Sequence, residues 1–111
     1  MNLSKDITAK IEELQILEQN LQAFLMQKQA IQIDLNETVN AINELKNSKG
    51  EVYKILGGIM IKSDREITLK ELEEKKKILD LRIGSMEKQE KLIETKSEAL
   101  RKEISASVSK N

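Results

Sequence analysis

Few of the 111 residues are equipped for chemistry. The sequence contains no His and no Cys, so it lacks the commonest general base and metal ligand as well as the thiol nucleophile. The reactive types that remain are the acidic neighbours Glu12-Glu13 and Glu73-Glu74, the basic run Lys75-Lys76-Lys77, one tyrosine, Tyr53, and the glycine pair Gly57-Gly58. Adjacent residues on a helix point about 100° apart, so neither acidic pair converges on a shared proton or metal ion. The lysine run sits among Glu71, Glu73, Glu74 and Asp80 at ion-pair spacing, the pattern of a solvated helix face. Gly57-Gly58 fits neither of the glycine patterns that cradle phosphates. Tyr53 lies in a β-rich run and reads as a packing aromatic. The inventory predicts no catalytic residue, no metal ligand and no cofactor, and therefore no enzyme.

What the sequence does specify is long helices. Charged residues make up 34% of the chain, Pro is absent, and Gly occurs only four times. That composition belongs to coiled coil rather than to a compact aromatic core. Formal net charge is zero, without the basic excess by which a protein neutralises nucleic-acid phosphates. No apolar run approaches the roughly 20 residues needed to span a bilayer, and the N-terminus does not read as an export signal. These features predict a soluble cytoplasmic protein with no nucleic-acid or membrane partner, in keeping with the absence of Cys.

Two segments carry a heptad stripe. In the first, Ile7, Leu14, Leu21, Lys28, Leu35 and Ile42 alternate with Leu3, Lys10, Leu17, Phe24, Ile31, Thr38 and Leu45. Apolar groups at alternating three- and four-residue steps form a face that only a partner helix covers. The second stripe is looser. It runs through Leu72, Leu79, Ile83, Met86, Ile93, Leu100 and Ile104, interrupted by Lys76, Glu90 and Ser97. Thr68 followed by Glu71 is a capping-box pattern and predicts the start of the second helix. Helices are thus expected over 3–46 and 68–108.

Between them the period changes. Val52-Tyr53-Lys54-Ile55-Leu56 and Ile59-Met60-Ile61-Lys62 flank Gly57-Gly58, a two-residue turn whose positive φ angles suit glycine. The expected hairpin covers 51–62. One face carries Val52, Lys54, Leu56, Ile59 and Ile61, and the other Tyr53, Ile55, Met60 and Lys62. Both faces are largely apolar and both edges are unpaired, so the hairpin demands further strands from other chains. Folding about Gly57-Gly58 sets residue i opposite residue 115 minus i. Ile7 then faces Val108 and Ile11 faces Ile104, on arms of about 60 Å.

A helix, the run VYKILGGIMIK at 52–62, and a second helix of similar length together resemble the beta subunits of archaeal prefoldin over nearly the whole chain. The Gln-rich first helix and Met86-Glu87-Lys88-Gln89-Glu90 support the likeness. The resemblance implies a mainly α fold: one prefoldin-like domain over 1–111, a long antiparallel two-helix coiled coil joined by a β-hairpin that assembles into an oligomeric β-barrel. It further implies a hexamer of two alpha and four beta subunits that holds unfolded polypeptides at the coiled-coil tips. The clients pass to a group II chaperonin without nucleotide hydrolysis.

Residues expected to contact clients are the apolar groups near the tips, Leu3, Ile7, Ile11, Leu100, Ile104 and Val108, because fraying helix ends leave apolar groups without a guaranteed partner. The polar ending Ser105-Ala106-Ser107-Val108-Ser109 departs from a strongly apolar tip. The oligomerisation surface is expected at Val52, Tyr53, Ile55, Leu56, Gly57, Gly58, Ile59, Met60 and Ile61. The rival reading is a passive coiled-coil scaffold or adaptor subunit. A scaffold has no need of an apolar hairpin where a short polar turn would join its helices.

Overall fold

A computed structural model of the chain describes residues 4–109. Two helices enclose one hairpin: α1 (Lys5–Asn47), β1 (Val52–Leu56), β2 (Ile59–Ser63) and α2 (Arg65–Ser109). Leu3, expected to open the first helix, lies outside the described residues. Ser4 caps α1, its Oγ accepting the Ile7 N–H at 3.2 Å while its carbonyl accepts the Thr8 N–H at 3.1 Å. Asp6 in the first turn and Lys46 in the last complement the helix dipole.

The second helix starts earlier than its capping-box pattern predicts. Asp64 is the cap: its Oδ1 accepts the Ile67 N–H at 3.0 Å and its carbonyl accepts the Thr68 N–H at 3.0 Å. Asp is at least as good a cap as Thr, and Thr68 has another occupation. It is buried, with its hydroxyl 2.6 Å from that of Ser63, where it ties the end of β2 to the first turn of α2. Ser63 extends the hairpin one residue beyond the expected limit.

The strands pair antiparallel from Val52 opposite Ser63 to Leu56 opposite Ile59, so each pair of residue numbers sums to 115 as expected. Gly57 and Gly58 have φ of 56° and 79°, the two positive values that a type I′ turn requires. A Cβ at either position would meet no neighbour within 4 Å. The demand for glycine is thus one of backbone conformation rather than space.

The chain divides into two packing units, Met1–Gln29 with Gly84–Asn111, and Ala30–Ile83. In the second unit Ile31, Ile42, Leu79 and Ile83 form the buried apolar core, joined by Thr38. The Thr38 hydroxyl is satisfied by the Asp34 carbonyl at 2.8 Å, which explains how a polar side chain is tolerated in the stripe. Asp34 pairs with Lys75 at 3.0 Å. Lys76, predicted on the stripe, is exposed.

In the first unit the stripe positions Leu14, Leu17, Leu21 and Phe24 of α1, and Met86, Ile93, Leu100 and Ile104 of α2, are half-buried, while Ile7 is buried. Ion pairs link the helices at Lys10–Glu103 (3.3 Å) and Glu18–Arg101 (2.9 Å). Ser97 is 1% exposed, and its hydroxyl has no hydrogen-bond partner among the described residues.

Two stability measurements test this account in the assembled protein. Asp64→Ala removes the cap of α2 and is expected to cost about 1 kcal/mol in denaturant unfolding. Ser97→Ala removes an unsatisfied buried hydroxyl and is expected to stabilise by about 1 kcal/mol. A loss of stability on Ser97→Ala would instead mean that the hydroxyl has a partner in solution.

Candidate assembly and client-contact surfaces

The hairpin exposes the residues expected to assemble. Ile55 (72%), Met60 (66%) and Ile59 (65%) are the most open, and Leu56, Tyr53 and Ile61 are also exposed. Val52 and Lys54 are half-covered because β1 lies next to the helix ends. A groove there is lined by Ala41, Leu45, Val52, Leu56 and Leu72, and the ion pair of Lys54 with Glu71 lies beside it. All residues of β2 up to Lys62 are exposed.

Register fixes which backbone groups are open. The pair flanking a two-residue turn exchanges both hydrogen bonds. Leu56–Ile59, Lys54–Ile61 and Val52–Ser63 are therefore the bonded pairs, and the N–H and C=O groups of Tyr53, Ile55, Met60 and Lys62 point away from the hairpin. An outward peptide group on each edge, alternating with apolar side chains on both faces, is the geometry that accepts an added strand.

Polar contacts organise the hairpin's base. Tyr53 donates to Glu51 at 2.5 Å, and Lys62 lies 3.3 Å from the other carboxylate oxygen. Glu51 is held below the usual carboxylate range first by the tyrosine hydrogen bond and then by Lys62, and the same bond pushes the Tyr53 phenol up. Arg65 spans the junction: its guanidinium donates to the Leu45 carbonyl at the end of α1 and to the Gly50 carbonyl at 2.5 Å. Sequence reasoning missed Arg65 and Glu51. A lone Arg one residue after a cap offered no periodic signal, and the carbonyls that it satisfies are 15 and 20 residues away.

Of the expected client contacts, Leu3 lies outside the described residues. Ile7 is 7% exposed; Ile11, Leu100, Ile104 and Val108 are half-buried. The Lys10–Glu103 pair sets the first turns of α1 beside the last turns of α2, close to the predicted facing of Ile11 and Ile104. These side chains pack on their own unit, so a ligand gains full access to them only when the end turns open. The exposed large apolar groups of this unit lie elsewhere, at Ile16, Leu25, Met26 and Leu92.

Lys28 interrupts the α1 stripe and Glu90 that of α2, and the two meet: Lys28 Nζ is 3.0 Å from Glu90 and 3.8 Å from Glu87. The hydrogen bond to Glu90 is the main cause that raises the Lys28 ammonium above its ordinary range, against a smaller desolvation effect. A group raised on folding contributes stability below its unfolded value, about 10.4 for lysine, and loses that contribution as pH rises through the folded value. Lys28→Glu is expected to lower the thermal midpoint, and adding Glu90→Lys to restore most of the loss. Replacing both residues with Leu is expected to match or exceed the original midpoint and to remove this pair's share of the decline above pH 10.4. Failure of the charge swap to restore stability would show that the pair does not set the register.

Comparison with known proteins matches this arrangement throughout. The family model described as "Prefoldin subunit" covers residues 8–111. The chain is 33% identical to prefoldin subunit beta of Pyrococcus abyssi over 109 residues, covering 96% of this chain and 93% of that protein. It is 34% identical to that of Sulfurisphaera tokodaii, covering 95% and 86%. The crystal structure of the prefoldin beta subunit from Thermococcus strain KS-1 superposes with a TM-score of 0.87 at 30% identity, covering 95% of this chain and 94% of that one. With its exposed hairpin and paired helices, the chain belongs to the prefoldin beta-subunit family, and is a prefoldin-type chaperone subunit.

Proposed function

We propose that this chain is one arm of an ATP-independent holdase that keeps unfolded polypeptides from aggregating and passes them to a group II chaperonin. The observation that carries the reading is the hairpin, apolar on both faces, exposed at Tyr53 and from Ile55 to Ile61 and unpaired on both edges. Burying a side chain such as Ile55 or Met60 contributes about 1.5–3 kcal/mol. Six such groups on ten strand residues drive association far beyond what joining two helices requires. This weighs against the rival reading, a passive coiled-coil scaffold or adaptor.

In the proposed assembly four copies join two alpha subunits in the cytoplasm, their hairpins closing into β-barrels that leave no strand edge. Each coiled coil then projects its tip, with Leu3, Ile7, Ile11, Leu100, Ile104 and Val108, toward client. Because Ile7 is covered and Ile11, Leu100, Ile104 and Val108 are half-covered, client apolar segments compete with the arm's own packing. Single tips therefore bind weakly, and several acting on one client raise the effective concentration of sites. No nucleotide takes part.

The test dilutes a chemically unfolded protein into the complex with its alpha partner, without nucleotide, and follows light scattering. The intact complex is expected to suppress aggregation. A complex lacking residues 1–8 and 104–111 of this chain is expected to keep its native mass and lose most of the activity. A complex that assembles but leaves scattering unchanged would refute the holdase reading and support the scaffold. Separately, Ile55→Glu with Met60→Glu is expected to abolish assembly by native mass.

A further inference from the structure

The outward side of α1 within Met1–Gln29 has an unusual surface. Opposite the stripe of Leu14, Leu17, Leu21, Phe24 and Lys28, helical spacing places Gln15, Gln19, Gln22, Ala23 and Met26 on one face, with Ile16 and Gln29 on its flanks. All seven are exposed, Met26 at 71% and Ile16 at 56%. The charges of Gln15–Gln29 are Glu18 and Lys28, and both are engaged with α2, Glu18 with Arg101 and Lys28 with Glu90. About 21 Å of helix is thus left with only amides and apolar groups. The corresponding outward side of α2 carries Lys88, Lys91 and Lys102.

A solvated coiled coil ordinarily covers its outer positions with charge, as α2 does. Leaving them uncharged in a chain that is 34% charged suits a particular ligand chemistry. Each glutamine offers an acceptor and two donors, the complement of unpaired N–H and C=O groups in an extended peptide. Met26 is flexible and polarisable and adapts to differing side chains. No fixed charge has to be desolvated or matched when a segment of arbitrary sequence settles there.

We infer that the Gln15–Gln29 face of α1 is a second polypeptide-contact surface, which holds extended, weakly charged client segments along the arm through amide hydrogen bonds and the Ile16 and Met26 side chains, in addition to the tips. The inference rests on the holdase reading and extends it to a site away from the helix ends. Unlike the tip residues, these side chains are open without any unfolding of the arm, so the face is ready before a client competes for the seam.

The absence of Cys from the chain permits a direct test. Gln22→Cys carrying a benzophenone maleimide is built into the complex with the alpha partner, with Thr95→Cys on the lysine-rich side of α2 as control, and each is illuminated with an unfolded client. Client adducts are expected several-fold more abundant at position 22. Two further variants, Gln19→Glu with Met26→Glu and Gln19→Lys with Met26→Lys, are expected to keep native mass and helicity. Both are expected to raise several-fold the concentration needed for half-suppression of aggregation.

An equal yield at positions 22 and 95, or an adduct to another subunit in place of client, would overturn the inference while a suppressing complex left the holdase reading standing. An effect of only one charge sign would overturn it in favour of electrostatic steering. A parent complex that fails to suppress aggregation removes the holdase reading itself.

Discussion

A two-stranded sheet has two faces and two edges, and a single chain of this design covers only part of one face. The helix roots shade Val52 and Lys54; Tyr53 and everything from Ile55 to Ile61 stay open, including Ile55 and Met60 on the face away from them. The rest of the molecule is arranged around that deficit. The cap at Asp64, the Ser63–Thr68 hydroxyl contact and the Arg65 guanidinium hold the hairpin's base against both helices, so that the ordering entropy of the strands is met before another chain arrives. Assembly then joins preformed surfaces rather than fluctuating loops, which is the condition under which buried area converts well into affinity.

Polar residues within the seams have three different settlements. Thr38 returns its hydrogen bond to its own helix, costing little and specifying little. Lys28 and Glu90 satisfy each other across the two helices, and their value lies in register: a shift by one heptad would leave a cation and a carboxylate against apolar neighbours. Ser97 is nearly inaccessible and lacks a partner among the described residues. Its small side chain fits the covered position, at the expense of an unbonded hydroxyl. The apolar stripes supply most of the stability, whereas these exceptions say where each turn must sit.

Much of this was legible in the sequence, because the signals were periodic. Residues seven apart such as Leu14 and Leu21, and Ile31 and Thr38, fell on the seam where a heptad places them, and the glycine pair between two β-rich runs fixed strand register to the residue. What was not legible depended on side chains choosing among partners. Thr68 with Glu71 has the form of a capping box, but Asp64 lay upstream and Ser63 engaged the threonine hydroxyl. Arg65 is unremarkable until two distant carbonyls are brought within its reach. The depth of the seam at the ends was also hidden, since the pattern marks Ile7 and Leu14 alike while only Ile7 is buried.

The strands pair residues that sum to 115, and ion pairs between the helices keep near that sum, at 113 for Lys10–Glu103 and 119 for Glu18–Arg101. A one-residue insertion in either helix would displace every later seam position by about 100° and strand its ionic partners. Arm length therefore cannot drift residue by residue. It can change only in matched blocks, one added to α1 and one to α2 at equivalent distances from Gly57-Gly58, each a whole number of heptads. Reach, in such a molecule, is inherited in quanta.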